Sequence, residues 1–196
     1  MTKKNSIIIG IFILIGLLLL AVFFVTRKSA DVGTSLADLT EVRRQYPEWS
    51  QFIDDIEKWD ATLQEDATRP GTYLTLALAW KSLADRTRNT EHYEQALRLY
   101  EHGVELTERK DTTFLTNAAK MATYTGDFVT AESYFNEAIT VAPGDTDIYI
   151  WLAELYEYQM KKPADAIVSL LDRGIARAVT SEVLKEYKAD YLARTK

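Results

Sequence analysis

Two histidines, His92 and His102, are the only imidazoles in the chain, and both fall in a stretch that reads as one helix. At 1.5 Å of rise per residue about 15 Å separates them, so they cannot share a metal ion. The chain has no cysteine, which leaves clustered carboxylates as the remaining metal donors. Asp54 with Asp55 and Glu154 with Glu157 are such groupings, but each reads as the solvated surface of a helix. No nucleophile elbow, phosphate loop or dinucleotide-binding glycine pattern occurs, and nothing singles out a carboxylate pair for glycoside hydrolysis. These residue types imply no catalytic group, no cofactor and no metal. The chemistry expected is recognition rather than reaction.

The elements that would present a recognition surface are written most clearly in residues 112–145. Leu115, Ala118, Ala119 and Ala122 recur at helical spacing on one face, and Gly126-Asp127 then offers a left-handed C-cap followed by an N-cap. A second helix follows with Phe128, Ala131, Phe135, Ala138 and Ala142 on its inner face, and Pro143 stops it. Alanines at crossing points let two helix backbones approach closely, while aromatic rings fill the wider gaps. Tyr73, Leu76, Ala77 and Trp80 repeat the first-helix pattern, as do Tyr149, Leu152, Ala153 and Tyr156. Ala96, Tyr100 and Gly103 stand where Ala131, Phe135 and Ala138 stand in the middle unit, and Ala166 with Leu170 opens the third.

This arrangement resembles the tetratricopeptide repeat (TPR), a helix-turn-helix unit of about 34 residues. The resemblance covers 70–178 and implies an all-α protein, an α-α solenoid of about three hairpins with flanking helices. Departures are plain. The first unit carries extra residues around ADRTRNTEH, predicted to lengthen both its helices by about one turn, and it lacks the terminal proline. The third unit puts Arg173 where a small residue is usual, with Gly174 beside it. TPR arrays commonly hold a peptide in the concave surface made by their first helices. Mapped onto this chain, that surface would present Leu74, Leu78 and Lys81 from the first unit, Thr113, Thr116, Lys120 and Tyr124 from the second, and Ile150, Glu154, Glu157 and Tyr158 from the third. The family's clamp for a C-terminal carboxylate does not fit, because Asn117 alone matches it and Asp147 and Trp151 occupy places where that clamp is basic. Two tyrosines beside two glutamates suit a segment with apolar anchors and a basic group.

The other strong feature is the run at 7–25, IIIGIFILIGLLLLAVFFV, which carries no charge and is long enough as a helix to cross a bilayer core of about 30 Å. Lys28 spoils the small-residue pattern of a signal-peptide cleavage site, so the run is expected to stay as a single-pass transmembrane helix. A very short basic leader, 1–6, before such a run is the usual form of an uncleaved signal anchor. That points to export of the remainder across a bacterial cytoplasmic membrane, although Arg27, Lys28, Arg43 and Arg44 on the far side weigh against it. Residues 26–35 read as a flexible tether.

Two helices are expected in the membrane-proximal stretch 36–69. The first covers about 36–46, and the second follows Pro47 with Phe52, Ile56, Trp59 and Leu63 on one side. Trp49, Trp59 and Trp80 are expected to pack against the first repeat. Residues 179–196 carry a stripe of Val183, Leu184, Tyr187 and Tyr191 suited to capping the last repeat. The net charge of −6 excludes a nucleic-acid surface of the usual basic kind. The function expected is a non-enzymatic, membrane-anchored scaffold or adaptor that recruits a protein or peptide partner, in secretion or envelope assembly, with the bilayer held through 7–25 and no small-molecule substrate. A structural subunit of a larger membrane complex, using the span and the Trp-rich helices, is the alternative.

Overall fold

The computed structural model describes residues 36–195, with side chains from Leu39 onward. The leader, the apolar run at 7–25 and the tether at 26–35 lie outside the described residues, among which no helix is long and apolar enough to cross a membrane. The described chain is all helical. Helix α1 is Leu36–Gln45, followed by a 3-10 turn at Pro47–Trp49 and α2 at Ser50–Glu65. Three hairpins come next: α3 (Pro70–Thr87) with α4 (Thr90–Leu106), α5 (Thr112–Thr125) with α6 (Phe128–Val141), and α7 (Thr146–Glu154) with α8 (Ala164–Arg177). Helix α9 (Glu182–Arg194) folds back onto α8 and α7. From α2 to α8 each helix packs on the next in sequence, the quasi-one-dimensional stacking of a solenoid.

Local signals set the element ends. Pro70 opens α3 with its fixed φ, and Asn89, Asp111, Asp127 and Asp145 cap the N-termini that follow by accepting backbone N–H groups. Gly126 closes α5 in the left-handed region at φ 83°. Where the first unit has no terminal proline, Glu108 and Arg109 stop the chain after α4 by taking left-handed conformations themselves, at φ 51° and 58°. Arg109 is held there by Glu137 at 2.6 Å and Glu105 at 2.6 Å. The extra residues of the first unit do lengthen its helices, to 18 and 17 residues against 14 and 14 in the second.

The small residues serve as the spacing implied. Ala118, Ala119, Ala122, Ala131 and Ala138 are fully buried. Gly103 shows the constraint most sharply, because a Cβ built there would lie 2.0 Å from Phe114 Cε1 on the next helix. In the third hairpin the close approach falls one position later than predicted. Arg173 is exposed and Gly174 is buried, where a Cβ would meet Tyr149 at 2.8 Å and Leu184 at 2.9 Å. The inner face of α8 is accordingly Ile167, Leu170, Leu171 and Gly174, with Ala166 only half-buried. A longer connection and a π turn at Leu155–Gln159 precede it and rotate the helix relative to the middle unit.

Three further expectations are corrected. Helix α2 buries Ile53, Ile56 and Leu63, while Phe52 and Trp59 are half-buried, so its inner face is centred nearer Ile53; Phe52 instead lies 3.7 Å beneath the Arg86 guanidinium. Trp80 is buried in the first hairpin as expected, but Trp49 stacks on Tyr46 at 4.1 Å on the outside of the α1 turn. In α9, Leu184 and Tyr191 are buried, Tyr187 is half-buried, and Val183 is 54% exposed because it lies off the docked side.

Gly103→Ala should lower stability by about 1–3 kcal/mol even though alanine favours a helix by about 1 kcal/mol, because the added methyl must displace Phe114. Gly71→Ala, where nothing lies within 4 Å, should change stability by less than about 0.5 kcal/mol or increase it. Chemical denaturation of both variants checks this, and equal effects would be incompatible with the assigned close approach. By the same reasoning Ala119→Leu and Ala131→Leu should each cost about 1–3 kcal/mol, while Val129→Leu at a 75% exposed position should stay within about 0.5 kcal/mol of wild type.

Candidate interaction groove

The histidines are engaged in packing. His92 is buried beside Trp80 at 5.4 Å, with Nδ1 2.9 Å from the Thr87 hydroxyl, and His102 stacks on Tyr73 at 5.6 Å. Asp54 bonds Arg43 at 2.6 Å and ties α2 to α1. Among the described residues no three His, Asp or Glu side chains are grouped to hold a metal ion.

The first helices α3, α5 and α7 present their leftover faces to a common side, and there an open groove of about 450 Å³ is formed. Of the residues predicted for the concave face, it gathers Lys81, Lys120, Tyr124, Glu154 and Tyr158. Trp151, Leu155 and Phe135 supply the apolar part of the lining, with Thr123 and Gln159 beside them. Leu78, at 44% exposure, and Thr113 are exposed outside this lining, while Leu74 and Ile150 are half-buried. Thr116 differs from its predicted place on the surface. It is 8% exposed and its hydroxyl donates to Thr112 O at 2.7 Å, so α5 turns it inward. Glu157 stands outside the groove, its carboxylate engaged by Arg194 of α9.

Charge in the groove is organised by desolvation. Lys120 Nζ sits 3.2 Å from the centroid of Trp151, and burial lowers its pKa, with Asp147 opposing that shift and Lys81 reinforcing it. Lys81 is paired with Asp85 at 2.7 Å, and Asp85 also accepts the Tyr93 hydroxyl at 3.0 Å. Tyr93 in turn packs against Tyr124 at 4.9 Å, so a ring that is 53% exposed is buttressed from behind. The Glu154 carboxyl is pushed above the usual carboxylate range by desolvation and by Glu157, against the attraction of Lys120 and Arg194. An exposed buttressed tyrosine, an indole carrying an ammonium and a carboxylate are elements of recognition. They provide no nucleophile paired with a base.

The π turn is what brings the third unit's share into place. Met160 N–H donates to Leu155 O at 2.9 Å, widening the helix, and Leu155, Tyr158 and Gln159 from this turn line the groove together. In the sequence Trp151 stood out only as a departure from the carboxylate clamp and Phe135 only as an inner-face residue of the second helix, and Leu155 and Gln159 carried no signal. Its place on the groove side was open to the sequence, since Trp151 stands 34 residues, one repeat, on from Asn117; its pairing with Lys120 was not.

The architecture is similar to that of TTC0263, a thermophilic TPR protein of Thermus thermophilus, at a TM-score of 0.58 and 18% identity, covering 78% of this chain and 78% of that one. It is also similar to the crystal structure of MamA, at a TM-score of 0.55 and 15% identity, covering 67% of this chain and 71% of that one. These likenesses define the class by fold: a TPR-like α-α solenoid. No protein-family model and no curated protein sequence matches the chain.

The raised pKa of Glu154 fixes the sign of a pH effect. Its proton is held more tightly in the folded chain than in the unfolded one, so its contribution is fully present below the usual Glu pKa and is lost as pH rises through the raised value. Glu154→Gln should therefore raise the melting temperature at pH 7 relative to wild type and leave it nearly unchanged at pH 4. Calorimetry at the two pH values checks this, and a variant destabilised at pH 7 would show that Glu154 is net stabilised by Lys120 and Arg194.

Proposed function

We propose that this protein is a membrane-anchored, non-enzymatic TPR-like scaffold that recruits a protein partner into the groove of α3, α5 and α7. The observation that carries this reading is the convergence of Lys81, Lys120, Tyr124, Trp151, Glu154 and Tyr158, from three separate hairpins, on one open groove. An exposed aromatic ring held rigid by a second ring costs little entropy on binding and commonly dominates interface energetics. The similarity to a TPR protein supports a protein or peptide as the ligand class. The uncharged run at 7–25 supports an anchor, Lys3 and Lys4 ahead of it support a domain exported across the membrane, and the role proposed there is in secretion or envelope assembly. A second reading, a fixed subunit of a larger membrane complex, is favoured by the Tyr46–Trp49 stack, whose tyrosine is 39% exposed beside the membrane-proximal helices.

Crosslinking in the native membrane, followed by identification of the captured protein, tests the reading. Leu78→Ala with Tyr124→Ala should weaken capture by about tenfold or more while leaving the melting temperature nearly unchanged, since both side chains are exposed. Capture retained by that double variant but lost in Trp49→Ala would move the interface to the membrane-proximal helices and support the fixed-subunit reading. Alkaline carbonate should leave the full-length protein in the membrane, and deletion of residues 1–28 should release it. Protease added to spheroplasts should digest the repeats, and full protection would reverse the proposed orientation.

A further inference from the structure

Beside the groove, the third unit already holds a ligand in cis, the Arg194 side chain of α9. Arg194 Nη1 donates to Glu157 Oε1 at 2.5 Å and Nη2 to Oε2 at 2.6 Å, a bidentate fork, and Nη1 also donates to the Tyr158 hydroxyl at 2.6 Å. The guanidinium carbon lies 5.6 Å from the Tyr158 ring centroid and 5.4 Å from that of Tyr191. The Glu157 side chain is only 16% exposed beneath it, whereas that of Arg194 is 40% exposed. So the acceptor is built into the fold and the donor reaches in from the rim. Tyr187 closes the inner side, with a hydroxyl that is fully buried and makes no hydrogen bond, and burial followed by the charges of Glu154 and Glu157 pushes it up to about 12. The groove's own Lys120 is seated on Trp151.

We infer that Glu157 and Tyr158 form a guanidinium-binding subsite at the third-repeat end of the groove, that Arg194 fills it in cis, and that the partner's segment docks by presenting an arginine of its own in place of Arg194. This rests on the groove reading above and gives its partner a chemistry: a basic segment with an arginine close to an aromatic residue. Arginine rather than lysine is specified because only a planar fork engages both carboxylate oxygens while lying beside two rings. The exchange needs only a side chain to leave. Helix α9 stays docked through Leu184 and Tyr191, which are 0% and 3% exposed.

The test titrates the full chain, purified in mild detergent, with the acetylated hexapeptide YLARTK, which carries the sequence of residues 191–196, and with its alanine counterpart YLAATK. Arg194→Ala should bind the arginine peptide at least about tenfold more tightly than wild type, because the competitor in cis is gone. The alanine peptide should not bind, and adding Glu157→Gln should abolish the gain. Circular dichroism establishes that the variants are folded, and Arg194→Gln, which keeps much of the length of the side chain, carries the same titration if Arg194→Ala loses helix. Equal affinity for wild type and variant, or binding that ignores the arginine, would overturn the inference. Such a failure leaves the crosslinking result at Leu78 and Tyr124 standing, whereas capture that ignores those two substitutions with the peptide result intact would overturn the groove reading instead.

Discussion

The structure depends on the places where one helix has no side chain and the next helix fills the gap with a ring. Phe114 lies over Gly103 between the first and second hairpins, and Tyr149 lies over Gly174 within the third. Each is a contact no other residue can supply, since even a methyl would occupy the space of the ring. The alanines on the inner faces of α5 and α6 extend the same principle along the hairpin axis. A solenoid has no central core, so the angle between neighbouring hairpins is fixed only by such nearest-neighbour contacts. That angle then decides which residues of α3, α5 and α7 face each other across the groove.

Once the inner faces are committed, the groove follows by elimination. Side chains left over on the first helices are long or aromatic, and each finds local support before any partner arrives: Lys81 from Asp85, Tyr124 from Tyr93, Lys120 from Trp151. Support of this kind lowers the ordering cost of binding because the side chains are already placed. It also fixes the electrostatics. Desolvation over Trp151 lowers the pKa of Lys120, and burial raises that of Glu154.

Much of this was legible in the sequence, and the boundary of legibility has a physical cause. Alanine and aromatic spacing encodes which face of a helix is buried, and it located the hairpins, their caps at Gly126 and Asp127, and the lengthening of the first pair. Contacts made by rotation between elements are not encoded locally. The π turn at Leu155–Gln159 has no compositional marker, and the close approach after it, at Gly174, falls one position from its predicted place; in α5 the packing of the helix turns Thr116 inward, away from the surface assigned to it. The pairing of Lys120 with Trp151, and of Arg194 with Glu157, crosses from one element to another and needs the packed solenoid to be seen.

Helix α9 meets two demands that pull in different directions. The last repeat exposes an apolar edge that must be covered, and Leu184 and Tyr191 cover it, one of them directly against the Gly174 close approach. The groove, by contrast, is useful only while its end can be reached. The chain separates these demands along the helix. Apolar capping occupies residues up to Tyr191, with Lys188 paired to Asp172 of α8 beside it, while the contact to the groove end is made by Arg194 in the last turn, where helices fray and a single side chain can exchange without the rest of the helix leaving. A cap made wholly of apolar contacts would have closed this end of the groove for good, and one made wholly of polar contacts would not have covered the edge.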